Sequence, residues 1–309
     1  MSDATIRLCA VSVDIDEIPN YYGLHGLAAP RGSDATVVYD KALPRLAQLA
    51  SSLDIPMTWF AVARDVVEPR HASWLKAQVE HGDEIANHSM DHRYDMCLMC
   101  AKDLKEQIGE AADLIEHHVG VRPRGFRSPG YVLTDAMVDV LRECGVMYDT
   151  SVFPSVAYYG AKAAVVVSMA LRGRRSRSIV DHPRVLTAPT RPYRLGRPYT
   201  TKGDGPVEIP VQVTRWARLP YIGTSLTLAG ANKARWLTRM VVGEPVVNLE
   251  LHGIDALDAS DGLEPLRAVQ PDVRIAWQDK LETLSQSLQE LRRAGYSFVR
   301  LDEAAQRYQ

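Results

Sequence analysis

The stretch Glu84-Ile-Ala-Asn-His-Ser-Met-Asp-His92 contains two histidines four residues apart. Its first four residues are predicted to form a short strand, and the histidines at 88 and 92 follow directly. In a helix, this spacing places both imidazoles on one face, about one turn apart. Two imidazoles suit two corners of a divalent metal site, and a carboxylate suits a third. Such a pair is also common on ordinary protein surfaces, so a metal site is indicated only if other parts of the chain supply the remaining groups of such a site.

Strand and helix patterns alternate on both sides of this stretch. The run Ile6–Val13 is almost continuously apolar, which is typical of a buried parallel strand. Other predicted strands cover 56–62, 124–126, 146–148, 207–210, 246–251 and 296–301. Predicted helices cover 38–53, 72–81, 98–119, 134–144, 232–242 and 271–294, with a short terminal helix capped by Asp302. This order predicts an α/β fold, as a barrel or an open sheet, with its site at the carboxyl ends of the strands.

Two segments interrupt the alternation. Residues 19–33 are predicted to form a loop that is rich in glycine, proline and tyrosine. Residues 154–206 do not resemble another strand-helix unit. They contain the apolar run 161–171, the arginines at 172, 174, 175 and 177, and a loop rich in proline and arginine. We therefore predict a single catalytic domain over 1–309 with an insertion at about 154–206 that holds one helix.

Composition narrows the class of protein. The 309 residues are 46% hydrophobic and 24% charged, enough for a large core, and the net charge of −2 gives no reason to expect a nucleic-acid partner. The first residues lack the pattern of a signal peptide, and no apolar run reaches the roughly 18 residues of a spanning helix, so we expect a cytoplasmic protein. Four scattered cysteines do not suggest a disulfide framework.

Polar side chains follow the predicted strands at the points where they end. Carboxyl ends of parallel strands meet at one edge of a sheet or barrel, so we expect these groups to lie together. They are Asp14, Asp16, His88, His92, Arg127, Tyr131, Asp149 and His252.

Five short blocks in this order resemble the motifs of the polysaccharide deacetylase family, the carbohydrate esterases of NodB homology. The blocks are Val13-Asp-Ile-Asp16, Asn87-His-Ser-Met-Asp-His92, Arg127-Ser-Pro-Gly-Tyr131, Tyr148-Asp-Thr-Ser151 and Glu250-Leu-His252. The resemblance covers about 6–149 and 246–301. It implies a distorted (β/α) barrel and metal-dependent removal of an N-acyl group, acetyl or formyl, from an amino sugar.

The resemblance assigns metal and base roles to the first two blocks. Asp16, His88 and His92 would bind one divalent metal ion, for which zinc suits the ligand set and cobalt, nickel or iron would also fit. Asp14 would be the general base, kept ionised by Arg127. The family usually has adjacent aspartates here, whereas this chain has an intervening isoleucine, so which aspartate binds the metal stays open.

The remaining blocks would complete the acid side of the reaction. The backbone N–H of Tyr131 would donate to the oxyanion, and His252 would protonate the leaving amine. Asp149 would orient His252 or raise its pKa. Tyr131 would also contact substrate, and His25, in the loop predicted at 19–33, is a separate candidate for such a contact outside the five blocks. The family usually has leucine where Glu250 stands, a departure that weakens the assignment of His252.

Polymer-acting relatives are typically exported, so we expect an amino-sugar substrate that is soluble, nucleotide-linked or lipid-linked. The segment 161–177 is expected to pack on the barrel with its arginines solvated; a peripheral membrane contact and a contact in a homo-oligomer are the alternatives. Two other functions stay open. One is a non-catalytic carbohydrate-binding protein, which would have lost the metal. The other is a metal-dependent phosphoesterase, which would hydrolyse aryl phosphates and tolerate loss of His252.

Overall fold

The structure, a computed structural model, describes residues 6–30, 35–171, 173 and 178–309, and its centre is a curled, mostly parallel sheet. The strands are β1 (Arg7–Asp14), β2 (Met57–Ala61), β3 (Glu84–Asn87), β4 (Gly125–Phe126), β5 (Tyr148–Asp149), β6 (Tyr193–Leu195), β7 (Lys202–Glu208), β8 (Val246–His252) and β9 (Tyr296–Phe298). Their order is β6-β7-β5-β4-β3-β2-β1-β8, with β9 beside β1, and among these nine strands only the β6–β7 pair is antiparallel. The predicted distorted (β/α) barrel is confirmed.

Helices connect the strands. They are α1 (Ile18–Leu24), α2 (Leu43–Ser52), α3 (Pro69–His81), α4 (Ala101–Lys105), α5 (Ala111–Val119), α6 (Asp135–Glu143), α7 (Val156–Leu171), α8 (Gly223–Val241), α9 (Trp277–Arg293) and α10 (Leu301–Gln306). A π-helical turn at Val38–Ala42 leads into α2, and another at Glu106–Glu110 joins α4 to α5. The main core lies where α2, α5, α8 and α9 pack their apolar sides against β1, β2 and β8.

Local sequence explains the main elements. Every residue of β1 after its first is buried, as its continuous apolar run requires for a strand covered on both faces. Helix α3 ends at Gly82, whose φ of 103° is accessible to glycine and costly for other residues. Thr134 caps α6 by accepting a hydrogen bond from the backbone N–H of Met137, as the sequence predicts.

The register of the parallel strands brings the polar strand ends together. In the β1–β8 pair, Asp14 lies opposite His252. In the β3–β4 pair, Asn87 lies opposite Phe126, so the next residues, His88 and Arg127, are neighbours. Adjacent strands lie about 4.8 Å apart, close enough for direct contact between these side chains.

The barrel does not close by strand pairing, since β8, at one end of the strand order, has no ladder with β6 or β7 within the described ranges. The side chain of Asn248 in β8 bridges this seam instead. Its amide nitrogen donates to the carbonyl oxygens of Ile209 and Pro210, and its backbone carbonyl accepts from the N–H of Gln212. The distortion of the barrel therefore has a defined place.

Several predicted boundaries were wrong. Residues 18–24 form α1 instead of a loop, and α8 begins nine residues before its predicted start. The insertion holds one α-helix as expected, yet β6 and most of β7 also lie inside it. Asp302 lies within the first turn of α10, which Arg300 caps.

Residues 31–33 of the loop predicted at 19–33, and the arginines at 172, 174, 175 and 177, lie outside the described residues. The membrane contact suggested for 161–177 therefore stays a prediction. No helix in the described ranges combines the length and apolar character needed to cross a bilayer.

Candidate active site

Asp16, His88 and His92 converge at the carboxyl end of the sheet. The Oδ1 atom of Asp16 lies 2.9 Å from Nε2 of His92 and 3.2 Å from Nε2 of His88. One ligand atom from each residue lies within 4.8 Å of the other two, and all three residues are buried. Two imidazole nitrogens and one carboxylate oxygen are the donor set that zinc and similar ions prefer.

The two histidines are held by a turn, and the helical interpretation of their spacing was wrong. Ser89 and His92 have φ values of 71° and 54°, which no helix allows. Asn87 accepts from the N–H of Ser89, and Ser89 Oγ accepts from the N–H of His92. Nδ1 of His88 lies 2.8 Å from the carbonyl oxygen of Arg127, which fixes its proton there and leaves Nε2 free to bind a cation.

The electrostatics of this group fit a cation. Burial opposes ionisation of Asp16, but the nearby His92 and His88 hold its pKa well below the usual range. Asp16 Oδ1 and His92 Nε2 are buried, and their contact lacks hydrogen-bond geometry, so both lack a hydrogen-bond partner. Buried polar atoms rarely remain unsatisfied. The three residues therefore fit a divalent metal ion.

Asp14 sits beside this group and faces a cation of its own. Its Oδ1 accepts a 2.5 Å hydrogen bond from Nη1 of Arg127, while its Oδ2 lies 3.7 Å from Nε2 of His88. Arg127 is fully buried, donates also to Ser12 and lies 4.1 Å above the ring of Phe60. One oxygen of Asp14 is thus held by the guanidinium, and the other faces the candidate metal site.

The Asp14–Arg127 pair predicts a large effect on stability. Arg127→Met leaves the Asp14 carboxylate buried without its cation, which typically costs about 3–5 kcal/mol of the free energy of unfolding. Adding Asp14→Asn removes the unpaired charge, so the double variant should regain a substantial part of this loss. Urea unfolding of the two single variants and the double variant tests this. Additive losses in the double variant would contradict it.

His252 has a partner that the sequence analysis did not assign. Its Nδ1 lies 2.9 Å from Oε1 of Glu250, which is fully buried. Burial disfavours the imidazolium, but the Glu250 carboxylate overcomes this and raises the pKa of His252 well above its usual value. The departure from leucine at position 250 therefore supports His252 as an acid. The period-two geometry of a strand, which places 250 and 252 on one face, was the signal available in the sequence.

Asp149 does not contact His252, and the role predicted for it was wrong. Asp149 accepts from both the N–H and the hydroxyl of Ser151, whose Oγ accepts from the N–H of Ser128. Burial raises the pKa of Asp149, and burial together with the neighbouring Asp149 charge raises the pKa of Glu208 well above its usual value. Asp149 instead supports the turn that begins at Ser128.

The backbone N–H of Tyr131 is already occupied, so its predicted donation to an oxyanion is not supported. It donates to the carbonyl oxygen of Ser128 at 3.0 Å. The side chain reaches the site instead, with its hydroxyl 3.2 Å from Nε2 of His252. Burial raises the pKa of Tyr131 well above its usual value, so the hydroxyl stays protonated.

A cavity of about 470 Å³ opens onto these groups, which is within the usual size range of small-molecule sites. Asp14, Asp16, His88, Tyr131 and His252 line it. The predicted substrate residue His25 also lines it, with Nε2 3.0 Å from Oε1 of Gln270. Contact of His25 with substrate stays a prediction.

Sequence comparison finds one family. Residues 33–148 match the family model described as polysaccharide deacetylase. No curated protein sequence matches the chain.

Solved structures share the fold at low identity. A protein from Mycobacterium smegmatis described as a polysaccharide deacetylase is 16% identical, with a TM-score of 0.62 over 99% of this chain and 92% of that one. PuuE allantoinase is 17% identical, with a TM-score of 0.61 over 98% and 91% of the two chains. A CE4 family pseudoenzyme from Bacillus anthracis is 13% identical, with a TM-score of 0.50 over 97% of this chain and 66% of that one. These likenesses establish the fold alone.

Proposed function

Because residues 33–148 of this chain belong to the polysaccharide deacetylase family, we propose that the protein is a metal-dependent hydrolase that removes an N-acyl group from an amino sugar. One observation carries the proposal. Two members of a two-histidine, one-carboxylate ligand set line the same cavity as a carboxylate held by arginine and a histidine beside a buried glutamate. These are the parts that amide hydrolysis requires.

Asp16, His88 and His92 would hold the divalent ion, with zinc the best match to the ligand set. When bound, such an ion polarises a carbonyl group and lowers the pKa of a bound water. Asp14 takes the proton of the attacking water through Oδ2, the oxygen that Arg127 leaves free. Arg127 fixes the position of the base through the hydrogen bond from its Nη1 to Oδ1 of Asp14.

His252 donates the proton that the leaving amine needs. The Glu250 carboxylate lies 2.9 Å from Nδ1 of the imidazole without hydrogen-bond geometry, and its charge favours the protonated ring, which lines the cavity. The hydroxyl of Tyr131 contacts Nε2 of the imidazole and orients the ring. Base and acid therefore come from the ends of the paired strands β1 and β8.

The proposal is tested with purified protein loaded separately with zinc, cobalt, nickel or iron. N-acetylglucosamine and N-formylglucosamine are the substrates, and release of acetate or formate with a free amine is the expected result. Allantoin is included because one structural neighbour is an allantoinase. Hydrolysis of p-nitrophenyl phosphate alone would instead support the phosphoesterase. Sugar binding with no turnover under any metal would support the carbohydrate-binding protein.

Glu250→Gln is expected to shift the pH dependence of the reaction. Glu250 raises the pKa of His252, so in the wild type the protonated acid persists to higher pH. Without that charge His252 loses its proton at lower pH, and the basic limb of the kcat/KM profile moves to lower pH. Glu208→Gln is the matched control, since Glu208 is also a buried strand-end carboxyl group but contacts Asp149. An unmoved basic limb in Glu250→Gln would exclude His252 as the acid.

A further inference from the structure

The walls of the active-site cavity are largely apolar, in contrast to its catalytic floor. Helices α1, α7 and α8 supply Leu24, Ala157, Ala161, Val165, Val166 and Leu228. Sugar hydroxyl groups that lose water against such side chains find no hydrogen-bond partners there, which is unfavourable. Alkyl groups gain by the same contact. The walls therefore suit an alkyl part of the substrate better than they suit the sugar.

Helix α7 is apolar on more than its cavity side. Lys162 is the one charged residue among its 16 residues, and only Met169 is buried. Val165 lines the cavity and is itself 48% exposed, and Val167 and Leu171 on the same helix are 57% and 84% exposed. An apolar helix of a soluble domain usually buries its apolar surface. Here that surface continues from the cavity wall to the outside of the protein.

The side chain of Lys162 connects α7 to the turn beside the catalytic residues. The Lys162 amine donates a 2.7 Å hydrogen bond to the carbonyl oxygen of Gly130, and it lies 5.8 Å from the ring of Tyr158. Gly130 precedes Tyr131, whose hydroxyl contacts His252. The apolar wall is thus tied to the turn that carries a site residue.

We propose that the substrate carries an alkyl chain close to the scissile amide, and that α7 with the first part of α8 binds this chain. The inference rests on the proposed function and names its substrate class. An alkyl chain can belong either to the acyl group or to a lipid attached to the sugar. Both sources present the same methylene groups to Val165 and Val166, so the experiment separates them.

Three amides distinguish the cases when used below their micelle-forming concentrations. They are methyl N-acetylglucosaminide, octyl N-acetylglucosaminide and methyl N-octanoylglucosaminide. Burial of each methylene raises the affinity about fourfold, so two buried methylenes raise it by more than about tenfold. For metal-loaded protein, we expect both kcat/KM and the affinity measured by calorimetry to be roughly tenfold or more higher for one of the two eight-carbon compounds than for methyl N-acetylglucosaminide. The favoured compound identifies the source of the chain.

Val165→Asn/Val166→Asn is expected to abolish this preference. Val167→Asn is the matched control, with the same substitution on the next residue of the helix, outside the cavity lining, and it should keep the preference. Equal turnover and binding of all three amides by the wild type would overturn the inference while leaving the proposed function intact. Tighter binding of an octyl compound without turnover would overturn the proposed function and support the alkyl site. A preference unchanged in the double variant would also overturn the inference.

Discussion

Alanine at both His88 and His92 is expected to leave the protein without bound metal and without measurable amide hydrolysis. Each imidazole lies close to the same oxygen of Asp16, at 3.2 and 2.9 Å, so the double variant keeps one ligand of three. A single carboxylate does not retain zinc or a similar ion against buffer. Elemental analysis of protein purified without chelator should fall from about one ion per chain to almost none.

His117→Ala/His118→Ala is the matched control for this double variant. These histidines are also close together, with ring centroids 4.9 Å apart, but they lie at the end of α5 and away from the cavity. Metal content and hydrolysis should match the wild type in the control. Full metal content in His88→Ala/His92→Ala would exclude the proposed metal site.

Asp14→Asn is expected to lower kcat by about 10²–10⁴-fold while leaving the metal content unchanged. Asparagine keeps the shape of the side chain and an oxygen for Arg127 Nη1, but it accepts no proton from water. Asp14 is 3.7 Å from His88 Nε2, farther than Asp16, so it contributes less to the metal ligand set. Single-turnover measurements with metal-loaded protein, together with elemental analysis, check both parts of the expectation.

Asp16→Asn gives the contrasting result that separates the two aspartates. Its loss should reduce the metal content first, and activity should return in part at high metal concentration. Asp14→Asn should not recover with added metal. The reverse pattern, with metal lost from Asp14→Asn and retained in Asp16→Asn, would exchange the two roles and contradict the geometry around Arg127.

Much of the site could be predicted because it depends on where strands end. Parallel strands bring their carboxyl ends to one edge, so Asp14, His88, Arg127 and His252 had to be neighbours once the strands were identified. Short sequence blocks could also assign Asp16 to the histidines. The local pattern was sufficient for each of these residues because the fold brings them together through backbone pairing.

Which side chains pair with each other was harder to predict from the sequence, because several buried carboxyl groups compete for a few partners. The sequence favoured Asp149 beside His252, whereas packing pairs Asp149 with Ser151 and Glu208 and leaves His252 to Glu250. Nothing in strand spacing alone distinguishes these arrangements. The conformation of Tyr131 was similarly inaccessible, because the hydrogen bond of its N–H depends on the turn geometry.

The position of α7 over the cavity could not be predicted from the sequence either. Its apolar residues follow no clear helical period, so they indicate no face that should meet the barrel. The contacts that place it over the cavity come from distant residues, including the carbonyl oxygen of Gly130. Long-range packing of this kind has no local signature.

Three residues of the active site, Ser89, His92 and Tyr131, have positive φ values of 71°, 54° and 56° without being glycine. Each such conformation typically costs about 1–3 kcal/mol of stability. Glycine would relieve this backbone cost, but it would also remove the Ser89 hydroxyl that accepts the N–H of His92 and the buried ring of Tyr131, whose loss typically costs about 3–5 kcal/mol. The strained backbone at this edge is therefore offset by the contacts of the side chains that it positions, so the turn and the site depend on the same three residues.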